Sequence, residues 1–190
     1  MPTRQAVYVR IANGDGDLAR VRERVARVHA GAAIDVKIGR DEARLFAGWL
    51  VPNPSEAVEP QDLSEPSRDF GEAVAIGVQT VADLVVYDHF VSGTRTRGLT
   101  YAGEAGWVRV VGEAEPWEPQ VLFSQTKLEE LRAALEEDLT GDALARDVDE
   151  LERLWKIGRL EEGATRPPIE PLGFTRALEK HLALPALPHK

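Results

Sequence analysis

The chain has no cysteine, a single methionine, four histidines and only 6% aromatic residues. Without cysteine there can be no disulfide, no thiolate metal site and no thiol nucleophile. No run of about 18 apolar residues occurs, so no helical membrane span is expected. The opening residues MPTRQAVYVRIA lack the apolar core and small-residue cleavage site of a secretory signal, and a cytoplasmic location is expected. His29, His89, His181 and His189 share no ligand spacing such as HxxxH. Neither GxSxG nor a phosphate-binding P-loop is present. No cofactor and no metal are expected.

What remains is ordinary for a chain able to bury a real core: 190 residues, 43% apolar and 29% charged. The net charge of −9 disfavours nucleic-acid binding over the whole surface. It is unevenly spread. Residues 1–50 carry 9 basic and 6 acidic side chains, against 14 basic and 26 acidic in the remainder. The acidic portion could dock a basic protein partner, and it would also serve plain solubility.

Ala6–Ala12 alternates as a strand, with Val7, Val9 and Ile11 set against Tyr8 and Arg10. A turn follows at residues 13–17, with Asp17 placed to cap a helix carrying Leu18, Val21, Val25 and Val28. Ile34–Ile38 reads as a second short strand, and Arg44–Val51 fits strand or helix. Residues 52–69 hold four prolines and read as an ordered loop or linker. Phe70, Val74, Val78 and Val81 have helical spacing, against two glycines and several β-branched residues. Toward the C-terminus the pattern turns helical. Thr126 and Glu129 have capping-box spacing before a stripe of Leu128, Leu131, Leu135 and Leu139. Asp142 can cap a second helix with Leu144, Val148, Leu151 and Trp155, and the short link at Gly141 predicts a helical hairpin. A last helix is expected near Phe174–Leu184.

The strongest strand signal spans residues 83–118. DLVVYDHFV, TRTRGLTYA and WVRVVGE are separated by Ser92-Gly93 and by GEAG, which marks an antiparallel meander. A two-residue turn at Ser92-Gly93 sets Asp88 opposite Arg97, Val86 opposite Leu99 and Leu84 opposite Tyr101. A four-residue loop at residues 103–106 sets Tyr101 opposite Val108, Leu99 opposite Val110 and Arg97 opposite Gly112. In this register one face is apolar apart from Asp88 and Arg97. The pair reads either as a cross-strand clasp or as a small ligand site. In the second reading Arg97 holds an anion, Asp88 or His89 moves a proton, and Tyr101 and Glu113 stand nearby.

Other patterns carry less. Glu113, Glu115 and Glu118 flank Trp117 and could supply paired carboxylates, or simply a loop packed by its tryptophan. Gly14–Ala19 matches the dinucleotide fingerprint GxGxxA, but Asp15 and Asp17 would oppose a pyrophosphate. Asn13, Asp15 and Asp17 open like a calcium loop that then lacks its glycine and its final carboxylate. Arg20, Arg24 and Arg27 form a basic stripe that a solvated helix face explains equally well.

The run from Gly93 through Arg97, Leu99 and Tyr101, then Trp107, Val110 and Gly112, then Glu115, Trp117 and Glu118, resembles a motif of uncharacterised bacterial proteins. That motif reads approximately GxxxRxLxYxxxxxWxxVxGxxExWE and covers about a fifth of the chain. Gly98 departs from it, where a bulkier residue is usual. The resemblance implies no activity. It implies that Arg97, Trp107 and Trp117 belong to one structural unit.

The reading is an α+β fold. An antiparallel sheet containing the meander spans residues 1–123 with a Pro-rich loop at 52–69. A first helix packs on it, as does a helical part at 124–184 ending in a short tail at 185–190. For function, two expectations stand. One is a non-catalytic cytoplasmic interaction protein that meets a protein partner through its acidic C-terminal helices or its meander face, for which an immunity or antitoxin-like role would be one suitable setting. The other is a ligand-binding protein or enzyme centred on Asp88, Arg97, Tyr101 and Glu113.

Overall fold

Seven antiparallel strands make one sheet in a computed structural model that describes residues 3–12, 15–30, 35–40, 45–52 and 58–185. The strands are β1 (Thr3–Arg10), β2 (Lys37–Arg40), β3 (Leu45–Leu50), β4 (Glu72–Gln79), β5 (Leu84–Val91), β6 (Thr94–Ala102) and β7 (Trp107–Gly112), ordered β2-β3-β1-β4-β5-β6-β7. The N-terminal strand therefore lies inside the sheet, between β3 and β4. The meander β4-β5-β6-β7 supplies the other half. No helix among the described residues is long and apolar enough to cross a membrane.

Both faces of the sheet are covered. On one, Val7 and Val9 of β1 and Ile11 just beyond it meet Leu18, Val21 and Val25 of helix α1 (Asp15–Val28), with Trp49, Leu63, Ala75 and Phe90 completing the cluster. Helix α2 (Ser64–Phe70) lies at the margin of this layer. On the opposite face, Tyr8, Val74, Ile76, Val85, Tyr87, Leu99, Tyr101 and Trp107 form the larger core. It is closed by the short helix α3 (Glu118–Val121), by Leu122 and Phe123, and by Phe174 and Leu178 of α6 (Pro171–His181).

Helices α4 (Gln125–Asp138) and α5 (Gly141–Ile157) form the expected hairpin. It joins the core at its base. Trp155 meets Phe123 edge-on at 5.3 Å and donates its indole N–H to the Ser124 carbonyl. The cap of α4 is Ser124, whose hydroxyl accepts the Lys127 amide, rather than the Thr126–Glu129 box. Thr140, not Asp142, occupies the N-cap position of α5.

Two expectations are corrected. Residues 72–79 are a strand, not a helix, because β4 lies between two neighbours with both faces packed. Such a strand is apolar throughout, so helical spacing appears in it by accident. Gly71, at φ +84°, ends α2 immediately before it. The second correction is the β5–β6 register. The Ser92-Gly93 turn holds, with both residues at positive φ, and so do the pairs Val91–Thr94 and Phe90–Arg95. Then the register shifts, and His89 faces Arg97, Asp88 faces Gly98, Tyr87 faces Leu99 and Val85 faces Tyr101. Thr96 is the extra residue, a β-bulge. The β6–β7 pairs Arg97–Gly112 and Leu99–Val110 stand as expected, and a second irregularity sets Tyr101 against Trp107. Asn13, Gly14, Ile34, Arg44 and the tail beyond Pro185 lie outside the described residues.

Candidate functional site

The bulge at Thr96 decides where every polar group of the meander goes. A one-residue shift reverses the faces of all that follows. It moves Arg97 onto the larger core's face beside His89, and leaves Asp88 on the other side of the sheet. The expected Asp88–Arg97 pair does not form.

On the larger core's face, a polar cluster closes the end of the sheet. Arg97 is 2% exposed. Its Nε and Nη2 donate to the two carboxylate oxygens of Glu118 at 2.7 and 2.6 Å, while Nη1 donates to the carbonyls of Val111 and Gly112. Glu118, wholly buried, also accepts the Glu115 amide. The Glu115 carboxylate accepts from the Tyr87 hydroxyl at 2.6 Å and the Trp117 indole at 2.5 Å, and meets His89 Nδ1 at 2.5 Å. His89 Nε2 lies 3.2 Å from Glu72, and Arg10 approaches the other oxygen of Glu72 at 3.9 Å.

Among the described residues, three basic groups face three carboxylates here. Protonated His89, Arg97 and Arg10 face Glu72, Glu115 and Glu118. Burial alone would lower the His89 pKa, but hydrogen bonds to Glu115 and Glu72, and their charges, overcome that and raise it from 6.5 to about 9. The same contacts hold Glu115 below its usual value against the effect of burial. Tyr87 is raised well above 10, by burial first and then by Glu115, so its phenol stays a donor. Each polar group of the cluster has a partner, which is what burial demands.

Several residues of the motif quoted above meet in this cluster or in the core beside it. Arg97 grips Glu118. Trp117 and Trp107 both set an edge-on ring against Phe174, at 5.8 and 6.2 Å. Tyr101 stacks edge-on against Trp107 at 5.3 Å. Gly112 has φ +82°, and a Cβ there would lie 1.9 Å from the Thr96 carbonyl oxygen, so the bulge requires a glycine opposite it. The motif thus spells a clasp that fixes α3 to the sheet.

Asp88 is wholly buried on the opposite face. Its Oδ1 receives Arg109 at 2.6 Å and faces Arg95 at 3.1 Å, and its Oδ2 accepts the Gln61 amide at 2.9 Å. Arg95 donates to the Gln61 carbonyl and lies over the Phe90 ring. Asp88 is therefore the pin that holds the 58–63 segment across the meander. Gly98 leaves room for Arg109 beside it. Of the other proposed site residues, Tyr101 is buried in the core against the Ile169 backbone, and Glu113 is exposed beyond β7. The four side chains do not converge. Sequence reasoning missed Glu72, Glu115 and Glu118 as partners of His89 and Arg97. The signal available was the closing ExWE, whose spacing puts both carboxylates beside the tryptophan.

The remaining patterns resolve into structure. The Gly14–Ala19 fingerprint follows a strand whose two neighbours are both antiparallel, so among the described residues β1 opens no parallel βαβ unit. Asp17 is buried and accepts the Ala12 amide at 3.0 Å, which puts a carboxylate where a pyrophosphate would sit. The arginine stripe on α1 is spent on carboxylates: Arg20 on Asp17, Arg24 on Glu65 and Asp69, and Arg27 on Glu23. No grouping of histidine and carboxylate side chains among the described residues could hold a metal ion.

The α4–α5 hairpin differs from all of this. Only Leu135, Leu151 and Leu154 of its apolar stripes are fully buried. Leu128, Leu131, Leu139, Leu144 and Val148 are half-exposed, because two helices enclose a seam from one side only. Residues 125–157 carry ten acidic and five basic side chains. Three of the bases are already paired: Arg132 with Glu136 and Glu152, Arg146 with Asp147, and Arg153 with Glu150 and Glu161. Glu137, Asp138, Asp142 and Asp149 make no ion pair among the described residues.

No protein-family model, no curated protein and no solved structure matches this chain.

Proposed function

We propose that this protein is a non-catalytic interaction module of the cytoplasm, and that its α4–α5 hairpin receives a basic amphipathic helix of a partner protein. The observation that carries the reading is the half-open leucine seam of a hairpin that carries four carboxylates with no ion pair among the described residues. An amphipathic helix would fill the seam with its apolar stripe, while its lysines or arginines would be drawn by the hairpin's acidic excess. A second acidic hairpin would fill the seam equally well but bring like charges together. An immunity or antitoxin-like protein, which masks a basic partner, is the physiological setting such a surface would serve.

The polar clusters support the non-catalytic part. Arg97, Glu118, Glu115 and Asp88 each have their charge answered by another residue, and Arg97 lies within a filled core. A site that bound anions through Arg97 would first have to break its bidentate contact with Glu118.

The test uses a 16-residue peptide with leucines along one stripe and lysines on both flanks, titrated by calorimetry at two salt concentrations. Saturable one-to-one binding that weakens with salt is expected. The charge-reversed triple variant Glu137→Lys, Asp138→Lys, Asp149→Lys should lose it while keeping the wild-type circular dichroism. Binding that survives the triple variant unchanged, or no saturable binding at low salt, would overturn the proposal.

A further inference from the structure

A cavity of about 220 Å³ lies between α3, α4 and α6, lined by Val121, Lys127, Ile169, Glu170, Phe174 and Ala177. Its wall is apolar apart from Lys127 and Glu170. Lys127 is the outlier among its kind. Of the four lysines within the described residues, Lys37, Lys156 and Lys180 are exposed and Lys127 alone is half-buried. No carboxylate among the described residues lies at ion-pair distance from its ammonium. Glu170, on the same cavity, turns its carboxylate onto the amides of Leu172 and Gly173 at the start of α6.

We propose that Lys127 is a carbonyl-reactive amine, and that the cavity takes a small aldehyde or ketone with a short apolar chain, which the lysine holds as an imine. Two features of its position favour the free amine. Burial disfavours the charged form, which lowers the pKa, with Glu130 acting in the opposite sense. Lys127 also sits three residues beyond the Ser124 cap, in the first turn of α4, where the helix dipole repels a cation. The chemistry is self-contained. The amine lone pair forms a C–N bond to the carbonyl carbon as the C=O π pair moves to oxygen. The nitrogen loses a proton and the oxygen gains one, giving a carbinolamine. Formation of C=N then expels water, so amine and carbonyl become imine and water with no change in oxidation state. The chain of the carbonyl compound would rest on Val121, Ile169, Phe174 and Ala177.

The test treats the native protein with butanal and cyanoborohydride near neutral pH and maps alkylated lysines by peptide mass spectrometry. Lys127 should be labelled at least about threefold faster than each of Lys37, Lys156 and Lys180, because both its free-base fraction and the cavity favour it. That lead should vanish in concentrated urea, where all lysines are alike. Ala177→Leu fills the cavity and should remove the lead in a protein that still melts cooperatively. Equal or slower labelling of Lys127 in the native protein would overturn the proposal. So would a lead that survives either urea or Ala177→Leu. The experiment reads α4's first turn and α6, so it is independent of whether the hairpin seam binds a helix.

Discussion

Raising the pH from 6 to 9 should destabilise this protein progressively, and His89 should be the main cause. His89 is 13% exposed and lies between Glu115 and Glu72. Tyr87 on its own strand, Arg97 opposite on β6 and Arg10 beyond Glu72 complete its surroundings. Its pKa is about 9 in the folded chain, against 6.5 for the ordinary imidazole. The folded state therefore holds a proton that the unfolded state releases between these two values. Below about 6.5 the stabilisation is fully present; it is lost as the pH climbs through about 9. At 1.36 kcal/mol per pH unit, the gap corresponds to about 3 kcal/mol. That is a large fraction of a typical stability of about 5–15 kcal/mol. The tyrosines stay out of the window up to pH 9 because an unfolded tyrosine ionises only near 10; above that, Tyr8 and Tyr87, raised further in the fold, would add to the loss. Urea unfolding at pH 6, 7, 8 and 9 measures the effect directly. The midpoint should fall steadily while the slope against denaturant stays constant. His89→Gln should be less stable at pH 6 and nearly flat across the series. A wild-type stability that does not change between pH 6.5 and 9, or an unchanged pH slope in His89→Gln, would refute the argument.

Arg97→Met should cost about 3–5 kcal/mol, because it leaves Glu118 buried without its guanidinium. Arg97→Met with Glu118→Leu should recover part of the loss, and urea titrations of the cycle would show the coupling. Gly112→Ala should destabilise by more than about 1 kcal/mol through strain at φ +82° and the clash with the Thr96 carbonyl, whereas Gly98→Ala, which meets only the side chains of Arg109 and Arg95 and no backbone, should cost less. Thermal melts of the two variants would rank them. Asp88→Asn should weaken the hold on the 58–63 segment, seen as faster hydrogen exchange at the Gln61 amide with the α4–α5 amides unchanged.

Several elements of the fold are legible in the residues, and the failures share one cause. β1 is legible because Val7, Val9 and Ile11 alternate with Tyr8 and Arg10 although both of its faces are buried, and α1 because it carries a clean apolar stripe. The hairpin is plain because leucines recur at helical spacing around Gly141. The β5 run LVVYDHFV is buried on both faces over most of its length, so alternation cannot report its register. The expected register and the true one place equally apolar residues in the core: Leu84 and Val86 in the first, Val85 and Tyr87 in the second. Thr96, which tips the balance, looks like any strand residue. Only Gly112 hinted at it, since a bulge carbonyl needs a partner without a side chain. The same two-sided burial hid β4. The candidate site failed with the register, because a pairing inferred one residue out sends its two charges to opposite faces of a sheet.

The distribution of paired and unpaired charge is what separates the two readings of function. Catalysis needs a polar group with an open side, since a fully satisfied carboxylate or guanidinium must lose a bond before it can gain one. Within the sheet, Asp88, Arg97, Glu115 and Glu118 are each held by several donors or acceptors, and the sequence around them specifies the clasp rather than an opening. On the hairpin the relation is reversed. Its three arginines are paired with neighbouring acids, surplus acids are left over, and the leucines between the helices stay partly in water. Leaving half-exposed leucines costs the isolated chain hydrophobic free energy that a third helix would recover. If the seam were merely loose packing, Leu131→Gln and Leu144→Gln would leave binding of the basic peptide intact. If it is the docking surface, each should weaken that binding about tenfold or more while changing stability little, as expected for half-exposed positions.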